Sequence, residues 1–208
     1  MPAPIVSDRL WSRIEPLLPR PRIRNRHRQY AGRKPSPPRK TLTGIVFVLR
    51  TGVPWEHLPA TSEWPSGHTC LRCLRKWQRA GVWQKLLVSL LGELARKGKI
   101  DWERAIVDSA SVRAPHGGRK TGPNPTDRRK CGSKHHLIVD AQGVPLAIIL
   151  TKANRNDITQ LLGLVDAIPA LPGKKGLSRK RPKRVQGDRA YDSEPHRQGL
   201  KKRGFNPC

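Results

Sequence analysis

Two aspartates, Asp108 and Asp188, each follow directly after a short run that could be a β-strand, in a strongly basic chain. Asp108 follows "RAIV" and Asp188 follows "RVQG", and both runs are typical of β-strands. A lone carboxylate would repel a phosphate. Two or three carboxylates that hold Mg²⁺ reverse the local charge and support an in-line displacement at phosphorus. Strand-end aspartates also cap loops, so the spacing alone leaves a capping role open.

The composition favours a polyanionic partner. The 208 residues include 42 Lys and Arg against 15 Asp and Glu, for a formal net charge of +27. Lys and Arg that neutralise nucleic acid release its condensed counterions, so nucleic acid is the first partner predicted. A membrane surface is the alternative, but the chain has no apolar run of about 18 residues and no signal peptide after Met1. We therefore expect an intracellular protein without membrane contact.

Four cysteines are too few for a disulfide framework in a chain of this length. The run "CLRC" has a spacing found in zinc sites, but no second pair with matching spacing follows it. On a helix, Cys70 and Cys73 share one face with Trp77, which favours small core residues. Zinc ligation stays as the alternative.

The chain changes character near residues 97–101. All six tryptophans lie before residue 103, and the longest strand-like runs lie after it. We predict a helical region over residues 1–98 and a mixed α/β domain over residues 101–208. Both parts are basic, so both are expected to touch the same polyanion.

Residues 20–40 contain no acidic residue and form a basic arm. Prolines at 19 and 21 oppose a helix, and in an extended chain alternate residues line one edge. The arm is predicted to follow phosphates or to enter a minor groove through Arg22, Arg24, Arg26 and Arg28. A solvated charge run without fixed structure is the alternative.

Residues 66–79 are predicted to form a helix with one basic face. Cys70, Cys73, Leu74 and Trp77 should face the core, and the opposite stripe carries Arg72, Arg75, Lys76 and Arg79. The second helix of a helix–turn–helix presents such a stripe to the major groove, so this segment is the candidate recognition helix. An ordinary solvated helix face is the alternative.

The second half alternates strands and helices. A hairpin is predicted across residues 140–143, with Asp140 as a turn residue. A helix with Asp157 as its cap follows, with Asp166 facing solvent, and the chain closes with a helix that ends at Gly204. Residues 115–134 form a polar loop whose length indicates a function.

Four pieces of the sequence resemble bacterial insertion-sequence transposases of the DDE type. They are "LRTGVPWEHLP", "IVDSASVRAP", "KTGPNPTDRRKCGSKHHLIVDAQGVPLAIILTKANRND" and "GDRAYDS". The resemblance implies an N-terminal helical, helix–turn–helix-like DNA-binding region and an RNase H-like α/β catalytic domain. It also implies an acidic triad that holds two divalent ions, Mg²⁺ or Mn²⁺. Asp108 and Asp188 match the first two acids as catalytic and metal-binding residues, and Lys134 joins the expected DNA contacts.

The chain departs from the family pattern at the third acid. In the family this acid is a glutamate on a later helix, and here the sequence ends at "RGFNPC" before any such stretch. Glu194 lies close behind Asp188 and beside Pro195, where it suits the first turn of a helix. We therefore expect a C-terminally truncated sequence with an incomplete catalytic domain, whose two-ion site needs a glutamate that is absent.

The resemblance implies DNA strand cleavage and strand transfer in transposition of an insertion sequence. Its expected partners are double-stranded DNA, as terminal inverted repeats and target, and further copies of the chain on that DNA. Such a protein would be cytoplasmic and nucleoid-associated. A non-catalytic DNA-binding remnant that represses transposition is the alternative. An RNA-binding protein is weaker, because few aromatic residues are available for base stacking.

Overall fold

A computed structural model describes residues 4–20, 35–59, 61–171 and 181–207. The chain divides into two compact units, Met1–Ser89 and Leu90–Cys208. Within the described part of the chain, the helices are all too short or too polar to cross a bilayer. The functional division at residues 98 and 101 stays a prediction.

The first unit is helical. Its helices are α1 (Asp8–Ile14), α2 (Pro38–Thr51), α3 (Gly67–Arg79) and α4 (Val82–Arg96), which continues into the second unit. Single 3₁₀ turns occur at Glu15–Leu17 and Trp55–His57. Ser7 caps α1, because its hydroxyl accepts a hydrogen bond from the Leu10 amide at 3.3 Å.

Helices α2 and α3 pack closely on a shared core. A Cβ atom added at Gly44 would lie 2.8 Å from the Cys70 sulfur, so only glycine permits this approach. Gly52 ends α2 with a φ of 71°, a conformation that glycine adopts without strain. The connection to α3 covers residues 52–66 and is longer than the three- or four-residue turn of a compact helix–turn–helix.

The second unit is a mixed sheet with two helices. The strands are β1 (Arg104–Arg113), β2 (Gly122–Pro123), β3 (Cys131–Asp140), β4 (Pro145–Lys152), β5 (Arg184–Gln186) and β6 (Asn206–Pro207). The helices are α5 (Ile158–Asp166) and α6 (Glu194–Lys202). Strand β3 pairs antiparallel with β1, β2 and β4, and the parallel pairs are β1 with β5 and β5 with β6.

The long strands β1, β3 and β4 have two different faces. The covered face carries Val107, Ile138 and Ala147, which are buried, and α5 packs on β3 and β4. The open face carries Val112, Ile148 and Leu150, which are 49%, 56% and 37% exposed. Because side chains alternate along a strand, a single step in sequence moves a residue from one face to the other.

The predicted fold class is confirmed: helices are followed by a mixed α/β sheet whose strand directions agree with the expected RNase H-like type. The predicted hairpin is β3–β4. The buried Asp140 carboxylate forms its turn by accepting hydrogen bonds from the amides of Gln142, at 2.9 Å, and Val144, at 2.7 Å. It also accepts one from the Asp101 amide at 2.9 Å, which fixes the approach to β1.

Candidate active site

Asp108 lies on the open face of β1. It is paired across the strands with Leu137 of β3, and its side chain is exposed. One carboxylate oxygen accepts a hydrogen bond from the Ser109 amide at 2.7 Å. The other carboxylate oxygen has no hydrogen bond within the described residues. Asp108 is therefore held on a rigid element with one oxygen available for a ligand.

Asp188 lies two residues beyond the end of β5. The parallel register pairs Ile106 with Gln186, so two more residues along both chains lead to Asp108 and Asp188. The strands thus bring these aspartates to neighbouring positions. Asp108 lies in the middle of β1 and not, as the sequence predicted, at the end of a strand, because β1 continues to Arg113. Asp188 is exposed and caps a 3₁₀ turn at Arg189–Tyr191, because one oxygen accepts a hydrogen bond from the Ala190 amide at 3.0 Å.

Tyr191 is buried beside these carboxylates. Burial raises the pKa of its phenol to about 12, a hydrogen bond with Ser109 opposes this rise, and the charges of Asp157, Asp108 and Asp188 add to it. The contact with Ser109 is not a well-aligned hydrogen bond, and the hydroxyl has no better partner among the described residues. Tyr191 therefore stays protonated and forms an uncharged wall behind the carboxylates.

A second polar cluster lies on the covered face. His136 is fully buried, and its Nε2 lies 2.8 Å from the Thr151 hydroxyl. Its Nδ1 lies 3.6 Å from an Asp157 oxygen, and the Lys134 amine lies 3.0 Å from the same oxygen. Burial lowers the pKa of His136, and Lys134 adds to this effect while Asp157 opposes it. We infer that His136 is neutral at pH 7.

Asp157 is the N-cap residue of α5, as predicted, but its side chain makes no capping hydrogen bond. Its carboxylate contacts Lys134 and His136 instead, because a partly buried amine and a fully buried imidazole need a polar partner more than an exposed helix end does. Asp166 agrees with its prediction: it is exposed and forms a two-point ion pair with Arg203.

The donor set at Asp108 and Asp188 fits part of a magnesium or manganese site. Mg²⁺ prefers hard oxygen ligands and commonly binds through one or two carboxylates, with waters and phosphates completing its shell. Each aspartate offers one oxygen that its own hydrogen bond leaves free. No group of three His, Cys, Asp or Glu suited to a metal ion occurs in the part of the chain that the structure describes.

The predicted recognition helix is α3. Cys70 and Trp77 are buried in the core of the first unit, and Cys73 and Leu74 pack against it, as predicted. The basic stripe is exposed, and its cations form no ion pair within the described residues: Arg72, Arg75, Lys76 and Arg79. These residues remain candidates for DNA contact.

Other predicted DNA contacts are placed differently. Arg22, Arg24, Arg26 and Arg28 lie outside the described residues. The Lys134 side chain is only 16% exposed, and it donates a hydrogen bond to the Arg155 carbonyl at 3.1 Å beside its ion pair with Asp157. A DNA contact by Lys134 stays a prediction, although its amine already has two partners, the Asp157 carboxylate and the Arg155 carbonyl.

The "CLRC" cysteines are core residues and not a zinc pair. The Cys70 thiol donates a weak hydrogen bond to the Pro65 carbonyl at 3.5 Å. Burial raises the pKa of Cys70 to about 11, and Cys73 adds to the effect, so the thiolate that a metal needs is disfavoured.

The buried roles of His136 and Asp157 were not predicted from the sequence. The one sequence feature that could have indicated a buried His136 is the alternation of side chains along β3, which puts His136 on the same face as Ile138 and Asp140. Partners for a buried histidine follow only from the pairing of β3 with β4 and from the position of α5. Neither is visible in the local sequence.

Family models match both parts of the chain. Residues 103–208 match the family described as "Transposase DDE domain". Residues 6–87 match the family described as "Putative transposase of IS4/5 family".

Curated relatives come from Burkholderia cepacia. "Putative transposase for insertion sequence element IS402" is 56% identical over 104 residues, which are 50% of this chain and 47% of that protein. "Insertion element IS402 uncharacterized 16.2 kDa protein" is 50% identical over 125 residues, which are 60% of this chain and 84% of that protein. The chain thus matches about half the length of the first relative.

The catalytic domain of the Mos1 mariner transposase is a similar solved structure. It is 14% identical, with 58% of this chain and 55% of that chain covered at a TM-score of 0.31. The Mos1 strand transfer complex gives 14% identity, 86% and 61% coverage and a TM-score of 0.33. These similarities are too weak to support an inference.

Proposed function

Because the chain belongs to the insertion-sequence transposases with a DDE domain, we propose that it binds DNA and that Asp108 and Asp188 serve metal-dependent strand cleavage and strand transfer. The observation that carries this proposal is the parallel register of β1 and β5, which brings the two aspartates to neighbouring positions. Each of them keeps one carboxylate oxygen free of its backbone hydrogen bond.

Asp108 and Asp188 would hold one or two divalent ions, Mg²⁺ or Mn²⁺. Such ions, when bound, activate the attacking oxygen and stabilise the leaving oxygen of an in-line displacement at phosphorus. The chain itself supplies rigid support, since Asp108 is fixed within a paired strand and Asp188 is fixed by its turn. The buried Tyr191 behind them keeps water and competing charge away from that side of the carboxylates.

The first unit would supply most of the contact with double-stranded DNA, in terminal repeats and target. The net charge of +27 favours phosphate contact, and the exposed stripe of α3 offers a helix face that fits a major groove. The basic arm at residues 20–40 is proposed to add phosphate contacts. We place the protein in the cytoplasm at the nucleoid, where it would act as a homo-oligomer on DNA.

The nicking test uses the complete transposase, with the family's third acid present, and a duplex that carries the ends of its own element. Metal binding is measured on the 208-residue chain. We expect nicking that requires Mg²⁺ or Mn²⁺ and that falls at least about a hundredfold in Asp108→Asn and Asp188→Asn, because each variant loses a carboxylate ligand. Glu194→Gln is the matched control, since Glu194 is exposed in the first turn of α6 and bonds only Gln198 within the described residues. Mn²⁺ binding followed by electron paramagnetic resonance gives a second readout. Equal activity and equal Mn²⁺ affinity in Asp108→Asn would sink the metal assignment.

A non-catalytic role is the second candidate. Its support is that no three-residue metal-binding group occurs in residues 4–20, 35–59, 61–171 and 181–207. The chain would then occupy the ends of the element and repress transposition. Specific binding to these ends without metal-dependent nicking selects this role, whereas nicking by the isolated chain excludes it.

A further inference from the structure

The segment between β1 and β3 presents a dense group of cations. We call residues 119–130 the basic loop. Its cationic side chains are all exposed: Arg119, Lys120, Arg128, Arg129 and Lys130. None of these five forms an ion pair with another residue that the structure describes. The loop therefore has a strong net positive charge that no ion pair within the described residues neutralises.

The one acidic residue of the loop is already occupied. Asp127 accepts two hydrogen bonds from the Arg113 guanidinium, at 2.5 and 2.9 Å. This contact lowers the pKa of Asp127, so its carboxylate is ionised and neutralises Arg113 at the end of β1. The five exposed cations therefore have no acidic neighbour available for pairing.

The backbone of the loop is held firmly. Asn124 is 7% exposed, and its amide donates to the Lys130 carbonyl at 2.9 Å while its own carbonyl accepts from the Arg129 amide at 2.9 Å. The Asn124 side chain accepts hydrogen bonds from the amide and the hydroxyl of Thr126. Ser133 donates to the Lys120 carbonyl at 2.8 Å. These hydrogen bonds fix the backbone of the loop, and the cationic side chains on it are exposed.

Two consecutive arginines have left-handed backbone conformations. The φ angles are 48° at Arg128 and 59° at Arg129, a region that residues other than glycine rarely adopt. Such strain persists when surrounding contacts enforce it, and it is often found at binding sites. Here the contacts around Asn124 enforce it, and the result is that Arg128, Arg129 and Lys130 point into solvent in direct succession.

The loop follows the end of the strand that carries Asp108. Arg113, whose guanidinium binds Asp127 of the loop, is five residues after Asp108 on β1, a separation of about 17 Å at 3.3 Å per residue. One turn of a duplex measures about 34 Å, so a single duplex is long enough to reach both positions.

We propose that the basic loop binds the phosphate backbone of the same duplex DNA whose strand lies at Asp108. The proposal rests on the proposed function, because it takes the duplex at Asp108 as the bound molecule. The fixed backbone reduces the entropy lost on binding, and the cations have no internal partner to give up. The loop would position DNA without reading its sequence.

The test measures binding of the full chain to a 30-base-pair duplex by fluorescence anisotropy in EDTA over a range of salt. Arg128→Asn with Arg129→Asn removes two charges and keeps the backbone, since asparagine tolerates the left-handed region. We expect the slope of log affinity against log salt to fall by about 1.8 and affinity at 0.1 M salt to fall about 60-fold, because two phosphate contacts are lost. Arg128→Lys with Arg129→Lys should keep the slope. Lys201→Asn with Lys202→Asn, on α6, is the control for charge alone.

The outcomes separate this inference from the proposed function. A wild-type slope in the asparagine pair, or an equal fall in the α6 control, overturns the loop assignment while the proposed function stands. Absence of salt-dependent binding by the wild-type chain overturns both. Tighter binding of an RNA duplex of the same sequence at equal salt overturns the assignment to DNA.

Discussion

The two faces of the sheet in the second unit differ in what they hold. On the covered face, apolar residues such as Ile138 alternate with polar ones, and the polar residues have internal partners: His136 contacts Thr151, and Asp140 accepts three backbone hydrogen bonds. On the open face, Ile148 and Leu150 are exposed, and Asp108 keeps one carboxylate oxygen free.

Neighbouring residues of the same strand therefore have different roles: one stabilises the fold on the covered face, and the next is available for chemistry on the open face. A carboxylate on the covered face, such as that of Asp140, is buried and uses its oxygens in hydrogen bonds within the fold. A carboxylate on the open face is fixed in position yet available to a ligand. The comparison therefore predicts that equal substitutions on the two faces have unequal effects on the free energy of unfolding.

The largest contrast is expected between two isoleucines on neighbouring strands. Ile138→Ala should lower the free energy of unfolding by about 2–5 kcal/mol, because Ile138 is fully buried and the change leaves a cavity. Ile148→Ala should stay within about 0.5 kcal/mol, since Ile148 is 56% exposed. Urea denaturation followed by far-ultraviolet circular dichroism measures both values. Equal losses would mean that the open face is covered in solution.

A smaller contrast is expected between two aspartates. Asp140→Ala removes an acceptor shared by three backbone amides and should destabilise the chain by about 2–3 kcal/mol. Asp108→Ala removes an exposed side chain with a single local hydrogen bond and should change stability by less than about 0.5 kcal/mol. The same denaturation measurement applies. A large loss in Asp108→Ala would show that Asp108 has a structural role.

The smallest effect concerns pH and two adjacent histidines. Burial lowers the pKa of His136 in the folded chain below its ordinary value of about 6.5. As pH falls, the unfolded chain binds this proton first, so stability should decline below about pH 6.5 until folded His136 is itself protonated. His136→Gln should flatten this decline. His135→Gln, on the open face, is the control, and an equal flattening there would contradict the assignment to His136.

Short-range signals predicted much of the fold. The core face of α3 and the Asp140 hairpin each depend on residues a few positions apart. The parallel neighbours Asp108 and Asp188 were predicted as a pair only from their residue type and their strand ends. Their adjacency in the structure depends on the pairing of β1 with β5, which no local pattern specifies.

The remaining features depend on distant partners. Strand β1 continues through the polar residues Ser109–Arg113 because β3 pairs with it over its whole length. Asp157 leaves its helix end because Lys134 and His136 are buried beside it. The left-handed Arg128 and Arg129 follow from contacts around Asn124. In each case a tertiary contact overrides the local preference.

The long chain separation between β1 and β5 has a consequence for synthesis. The antiparallel strands β1, β3 and β4 follow one another and can pair as soon as residues up to Lys152 have left the ribosome. The parallel partner β5 ends only at Gln186, and pairings between distant segments form slowly. At about 5–20 residues per second, several seconds pass between these events. During that interval a nascent chain would carry the charge proposed to bind DNA with only one aspartate of the proposed metal pair in place, so attachment to nearby DNA would precede competence for metal binding.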